Sequence, residues 1–207
     1  MQVTADLPVG YYRDNFLALL GFVGEQYADI LTVEEAAYAE RFVDLGLDAQ
    51  RLYVRLISRR GPLFRSDKLH YDEITDLPTV ANELLAANFI DQGQDEDESA
   101  VLALLTKPDL VELMADKSSA VAALKRPDLL DLVVSEVDDV RRQLTFDIYR
   151  PLMIEHLRLY RLLFFGNLNQ DLTQFVLTDL GLLSYEDYEI SADARLFQHR
   201  DIIDKTL

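Results

Sequence analysis

The sequence contains no cysteine. That absence excludes disulfide frameworks, zinc–thiolate sites, iron–sulfur clusters and cysteine nucleophiles together. Its 3 histidines, His70, His156 and His199, stand far apart, which argues against a multi-histidine metal site. With 8 glycines and 6 prolines in 207 residues, the chain is neither low-complexity nor fibrous. The most apolar stretches, 101–105 and 162–165, are too short to cross a bilayer. The opening MQVTADLPVGYYRDNF lacks the basic region and apolar run of a signal peptide. No phosphate-binding glycine loop, G-x-S-x-G or H-E-x-x-H motif occurs.

Positive charge is scarce as well. Against 37 acids stand 20 bases, a net charge of −17, and a field of that sign repels polyanions. The bases are unevenly spread. Residues 47–70 hold 6 bases and 2 acids, whereas residues 71–100 hold no base and 9 acids. With a Debye length of roughly 8 Å in physiological salt, such a basic window acts locally despite distant negative charge.

Hydrophobic residues make up 49% of the chain, enough for a real core in one medium or two small domains. Tyr12, Phe16, Leu17, Leu20 and Val23 recur at helical spacing. A second helix is predicted over Val33–Leu45, with Thr32 as N-cap and Glu34 and Glu35 in the first turn. A third is predicted over Ala49–Ser58, where Leu52, Tyr53, Leu56 and Ile57 form the apolar face. Arg51, Arg55 and Arg59 line another face at i, i+4, i+8. Gly61-Pro62 ends it, and Leu63–Arg65 and Lys68–Tyr71 read as short extended pieces. A helix over Val80–Asn88 follows. The charge run Asp91–Glu98 reads as an exposed, solvated loop without calcium-ligand spacing.

An internal echo comes next. LTKPDLVEL (105–113) and LKRPDLLDL (124–132) share Leu, a base, Pro, Asp and two leucines in register. Each proline suits the start of a helix and each aspartate its positive end. Two short helices of like design are expected, either a leucine-stabilised hairpin or a helix–extended–helix nucleic-acid module. Residues 139–168 read as one long helix, or two divided at Pro151, ending at Gly166-Asn167. Arg150, Arg158 and Arg161 are expected to be solvated or paired. A helix over Asp171–Leu180 stopped by Gly181, an extended Leu183–Ile190 and a helical Ala192–Leu207 complete the reading. The last has no C-cap, so a longer polypeptide is expected.

Metal-dependent nucleases of the restriction type need acids to hold magnesium and a lysine two positions after the second acid. The positions two before Lys68, Lys107, Lys117, Lys125 and Lys205 hold Ser66, Leu105, Ala115, Ala123 and Ile203. None is acidic, so the (D/E)-x-K motif is missing.

The string RLYVRLISRRGPLFRSDKLHYDEI (51–74) resembles the N-terminal region of the Fanconi-associated nuclease family. These are structure-specific DNA repair nucleases with a C-terminal virus-type replication-repair nuclease module. The likeness continues through 84–90 (LLAANFI), the opening Tyr11–Phe16, the paired-helix segment, which is similar to a SAP module, and 182–201. The resemblance implies a mainly α fold: a multi-helix domain with a winged-helix-like portion containing a short β-hairpin, then a SAP-like module, then further helices. The corresponding boundaries are 1–98, 99–138 and 139–207, with a helical-repeat region beyond. It implies a non-catalytic, DNA-binding segment of a nuclease that cuts 5′-flap and related branched DNA in interstrand cross-link repair. Magnesium or manganese would serve the nuclease module, with no cofactor in this segment. The implied duplex contacts are Arg59, Arg60, Arg65, Lys68 and Tyr71 with Tyr11 or Tyr12 nearby, and Lys107, Lys117, Lys125 and Arg126 in the SAP-like module. The location expected is the nucleoid-associated cytoplasm of a bacterium, or the nucleus of a eukaryote, and no membrane is involved.

Two other readings stay open. An acidic helical domain binding a basic protein and no nucleic acid fits the charge of −17. A self-contained carboxylate enzyme would need acids clustered in a cleft around magnesium or manganese. Whether the arginines of residues 51–65 are exposed on one face or paired to acids separates the first two.

Overall fold

The computed structural model describes residues 8–115, 119–170 and 195–207. In chain order the elements are α1 (Tyr11–Gln26), α2 (Val33–Val43), α3 (Leu47–Ile57), β1 (Phe64–Arg65), α4 (Leu77–Ala86), β2 (Ile90–Asp91), α5 (Glu98–Leu104), α6 (Lys107–Leu113), α7 (Arg126–Glu136), β3 (Ile148–Pro151), α8 (Ile154–Phe165) and a last helix, Arg200–Thr206. The chain forms two units, 1–60 with 71–90 and 151–207, and 61–70 with 91–150. The fold is mainly α, as expected.

The first unit is helical. The Thr32 hydroxyl accepts from Glu35 N at 3.3 Å while Glu35 Oε2 accepts from Thr32 N at 2.8 Å, a reciprocal cap that starts α2 at the expected residue. Asp76 caps α4 through Thr79 N at 3.3 Å. The apolar faces of α1 (Tyr12, Phe16, Leu19, Leu20, Val23) and α3 (Leu52, Tyr53, Leu56) are fully buried with Leu157, Tyr160 and Leu162 of α8. Burying each such side chain contributes about 1.5–3 kcal/mol. Aromatic rings meet edge to face in this core, Phe16–Phe42 at 5.0 Å, Tyr53–Phe89 at 4.9 Å and Tyr38–Tyr160 at 5.4 Å. Two buried hydroxyls are spent on carbonyls: Tyr53 donates to Leu152 O at 2.9 Å and Tyr160 to Glu35 O at 3.0 Å.

The turn between α2 and α3 is organised by Gln50, buried at 3% exposure. Its Nε2 donates to the carbonyls of Phe42 (3.1 Å) and Val43 (2.9 Å) at the end of α2 and of Leu45 (2.9 Å) in the turn. Its Oε1 accepts from Arg13 Nε at 2.7 Å, which ties the turn to α1. The segment after residue 194 is fastened by two arginine forks. Arg195 grips Asp29 at 2.5 and 2.6 Å, and Arg200 grips Glu35 at 2.5 and 2.7 Å.

In the second unit the echoed motifs do become two helices, α6 and α7, each with its proline in the first turn. Leu110, Met114, Leu129 and Val133 share one core with Leu102, Leu105, Val121 and Val140. A 3-10 turn covers Ser119–Ala123 between them. Leu63, Val101 and Ile148 form a second small cluster.

Strand pairing departs from the sequence reading. Residues 68–71 are not a strand: Ser66–Lys68 is a 3-10 turn, and β1 finds its antiparallel partner in β3, Phe64 opposite Tyr149 and Arg65 opposite Ile148. The sheet order is β1-β3-β2. Residues 139–168, read as one long helix or two divided at Pro151, form the 3-10 turn Val140–Gln143 and β3 as far as Pro151 and the single helix α8 after it. The run Asp91–Glu98 is largely exposed but is not a free linker. Arg150 ion-pairs with Asp91 and Glu96, and Arg141 donates to the carbonyls of Gly93 (2.7 Å) and Glu96 (3.0 Å). Gly93 is required there: its φ is +58°, and a Cβ would stand 2.7 Å from Leu63 Cδ2. The readings over Asp171–Leu180, Gly181 and Leu183–Ile190 lie outside the described residues. No described helix is long and apolar enough to cross a membrane.

Candidate nucleic-acid interface

The expected contacts fall in both units. In the first unit the arginine stripe of α3 is real, and the segment after residue 70 runs along it. Arg51 donates to Asp48 Oδ1 at 2.9 Å and Glu73 O at 3.4 Å. Arg55 donates to Glu73 Oε1 at 2.8 and 3.3 Å. Its guanidinium lies 4.0 Å from the Tyr12 ring centroid and 5.3 Å from that of Tyr71. Arg59, one turn further, donates to the Tyr71 hydroxyl at 3.2 Å. Arg59 and Arg60 are exposed just past the end of α3 at Ile57.

Glu73 is the hinge of this arrangement, and sequence reasoning missed it. Its Oε1 also accepts from the Tyr12 hydroxyl at 2.6 Å. Burial works to raise the Glu73 carboxyl, but the hydrogen bonds from Tyr12 and Arg55 outweigh it and hold the pKa at about 2. Burial and the same carboxylate push the Tyr12 phenol well above its ordinary range. Tyr12, 1% exposed, is therefore a core residue with its hydroxyl consumed, which removes it from the expected contacts. Tyr11 is half-buried, edge-on to Tyr12 at 5.8 Å. Tyr71 is half-buried with its ring against Arg55. A hydroxyl that accepts from Arg59 keeps its own proton for an outside acceptor, which suits a phosphate oxygen.

In the second unit Arg65 is a correction. At 7% exposure it is enclosed, donating to Asp67 at 2.9 and 2.8 Å, to Asp109 Oδ1 at 3.0 Å and to Asp109 Oδ2. Its guanidinium lies 3.8 Å from the Phe146 ring centroid. Every donor it has is engaged, so it fastens β1 to α6 rather than reaching a ligand. Arg126 is exposed but occupied: it donates to Leu105 O at 3.0 and 3.2 Å, closing the carbonyl end of α5. Lys68 is exposed, 3.5 Å from Asp67. Lys107 and Lys125 stand exposed at the starts of α6 and α7, and Lys117 lies outside the described residues. Of the six bases in residues 47–70, Arg51, Arg55 and Arg65 are held at acids and partly or wholly covered, Arg59 and Arg60 are exposed, and Lys68 is exposed beside Asp67.

A capped helix, a turn closed by a buried amide and a second helix ending in exposed arginines define a helix-turn-helix domain. The domain family described as "FAN1, HTH domain" matches residues 10–91. The Fanconi-associated nuclease 1 homolog of Pseudomonas aeruginosa is 36% identical over 236 aligned residues, covering 100% of this chain and 39% of that protein. The Arabidopsis thaliana homolog is 29% identical over 205 residues, covering 91% of this chain and 23% of that protein. The crystal structure of paFAN1 bound to 2-nt 5′-flap DNA with a gap superimposes with a TM-score of 0.78 at 35% identity, over 97% of this chain and 38% of that one. The chain belongs to the Fanconi-associated nuclease family, and it spans 39% of the length of its Pseudomonas relative.

Proposed function

We propose that this chain is the DNA-holding portion of a structure-specific repair nuclease, gripping branched or 5′-flapped DNA during interstrand cross-link repair. The observation that supports it most is the likeness, over 97% of the chain, to a relative described as bound to 5′-flap DNA. Arg59, Arg60 and Tyr71 supply phosphate contacts in the first unit, with Tyr11 beside them. Lys68 supplies one in the second unit, and Lys107, Lys117 and Lys125 supply them in its SAP-like module, residues 99–138. Such contacts position a duplex without reading bases, which suits recognition of a junction by shape. Among the described residues no three His, Asp or Glu side chains converge as a metal site would require. The magnesium- or manganese-dependent cutting falls, in this reading, to the nuclease module of the full protein. The place of action is where chromosomal DNA lies, the nucleoid-associated cytoplasm of a bacterium or a eukaryotic nucleus.

The test is fluorescence anisotropy of a labelled 5′-flap DNA titrated with this chain, with unbranched duplex as competitor. Saturable binding with a preference for the flap is expected. No binding at about 50 mM salt, where phosphate contacts are strongest, would overturn the reading in favour of a protein partner.

A further inference from the structure

We infer that Glu73 is a positioning residue for the phosphate contact made by Arg59, acting through Arg55 and Tyr71; the inference rests on the DNA-holding reading above. The four side chains form one relay in the first unit. Glu73 Oε1 takes the Tyr12 hydroxyl at 2.6 Å and Arg55 Nη2 at 2.8 Å. That fixes the Arg55 guanidinium 4.0 Å from one tyrosine ring centroid and 5.3 Å from the other. Tyr71 is one of those rings, and its hydroxyl receives Arg59 at 3.2 Å. Glu73 itself is 12% exposed and reaches no ligand, so any effect it has on DNA passes through its neighbours.

The chemistry explains why an acid belongs here. Arginine and lysine side chains lose about 2 kcal/mol of rotamer freedom when fixed, so an exposed arginine is a loose phosphate ligand unless something holds it. A second arginine one turn away would also repel it. Glu73 neutralises Arg55 and holds it beside the Tyr71 ring, so that the Tyr71 hydroxyl becomes a fixed acceptor for Arg59. An acid placed beside a DNA-binding surface is otherwise unfavourable. Its presence is accounted for by order rather than by charge.

Charge and position predict opposite signs, which makes the inference testable on the full chain. Glu73→Gln removes a negative charge, and by simple Coulomb attraction this tightens DNA binding roughly twofold. If Glu73 positions Arg59, the same change weakens binding about three- to tenfold, the worth of one well-placed hydrogen bond. Binding of labelled 5′-flap DNA is measured by anisotropy at fixed salt, with thermal melting confirming that each variant is folded. Tyr71→Phe, at the surface, removes the hydroxyl and is expected to lose a similar factor whether or not Glu73→Gln folds. The double variant is expected to bind no worse than Tyr71→Phe alone, because both act on one contact. Equal or tighter binding by Glu73→Gln, unchanged binding by Tyr71→Phe, or losses that multiply in the double variant would overturn the inference while leaving the DNA-holding reading intact. A parent chain that binds no DNA overturns that reading, and the inference with it.

Discussion

Arg65→Ala separates a structural arginine from a DNA contact. Arg65 is 7% exposed, and its donors go to Asp67, to Asp109 and, at 3.3 Å, to the Leu104 carbonyl. Removing one member of a buried pair costs about 3–5 kcal/mol, because the partner is left charged and unpaired. Asp67, at 37% exposure, is readily rehydrated, and Asp109 keeps its hydrogen bonds from Thr106 at 2.6 Å. The cost is therefore set at the lower end, about 3 kcal/mol, against a total domain stability of roughly 5–15 kcal/mol. The pH dependence carries a second signature. Hydrogen bonding from Arg65, opposed by burial and helped by Thr106, holds the Asp109 carboxyl at about 2 rather than its ordinary 3.8. Because folding lowers this pKa, the unfolded chain takes up the proton first. The resulting stabilisation, about 2 kcal/mol, is whole above pH 4 and is lost as pH falls through about 2. Urea denaturation followed by circular dichroism should show Arg65→Ala well below the parent at pH 7, with the gap narrowing as the solution is acidified. A variant within about 0.5 kcal/mol of the parent would refute the enclosed-pair account.

Gln50→Leu fills the same space without donors and takes this donor from the carbonyls of Val43 and Leu45, while Phe42 O keeps Leu45 N at 3.3 Å. A loss of about 2–3 kcal/mol is expected in urea titrations, and an unchanged midpoint would contradict it. Glu35→Gln weakens both the α2 cap and the Arg200 fork. Its carboxyl is lowered despite burial by Arg200 and Thr32, so parent and variant should differ most above the ordinary carboxylate range and converge in acid. Arg126→Ala opens the carbonyl end of α5 and should cost about 1 kcal/mol of stability, with DNA affinity reduced by no more than one charge; a large affinity loss at unchanged stability would make it a contact instead.

Local features of the fold were legible because local rules govern them. Thr32 with Glu35, the paired K-P-D and R-P-D helix starts, and the apolar stripes of α1 and α3 all act within one or two turns. The partner of Phe64 was not, since Tyr149 lies far along the chain and β3 is only a few residues long. Nothing in a run of four residues says which distant strand will pair with it. The same distance hid the true role of Arg65. Its binding partner Asp109 looked like a helix-start aspartate, which it also is. Gln50 and Glu73 were missed because a single polar residue carries no periodic signal. Only the fold shows that one closes a turn and the other faces Arg55. The basic window of residues 47–70 was visible as composition. Composition could not divide it into arginines covered against Asp48, Glu73 and Asp109 and arginines exposed at the surface.

That division is the central claim, and the salt dependence of DNA binding tests it directly. Each phosphate contact on a duplex contributes about 0.9 to the slope of log affinity against log salt. The measurement is 5′-flap DNA anisotropy between about 50 and 200 mM salt for the parent, for Arg59→Ala with Arg60→Ala, and for Arg51→Gln with Arg65→Gln, each checked for folding. The first pair should bind more weakly, with a slope smaller by roughly one to two, and the second should keep the parent slope. An unchanged slope in Arg59→Ala with Arg60→Ala, or a fall confined to the acid-paired arginines, would contradict the account.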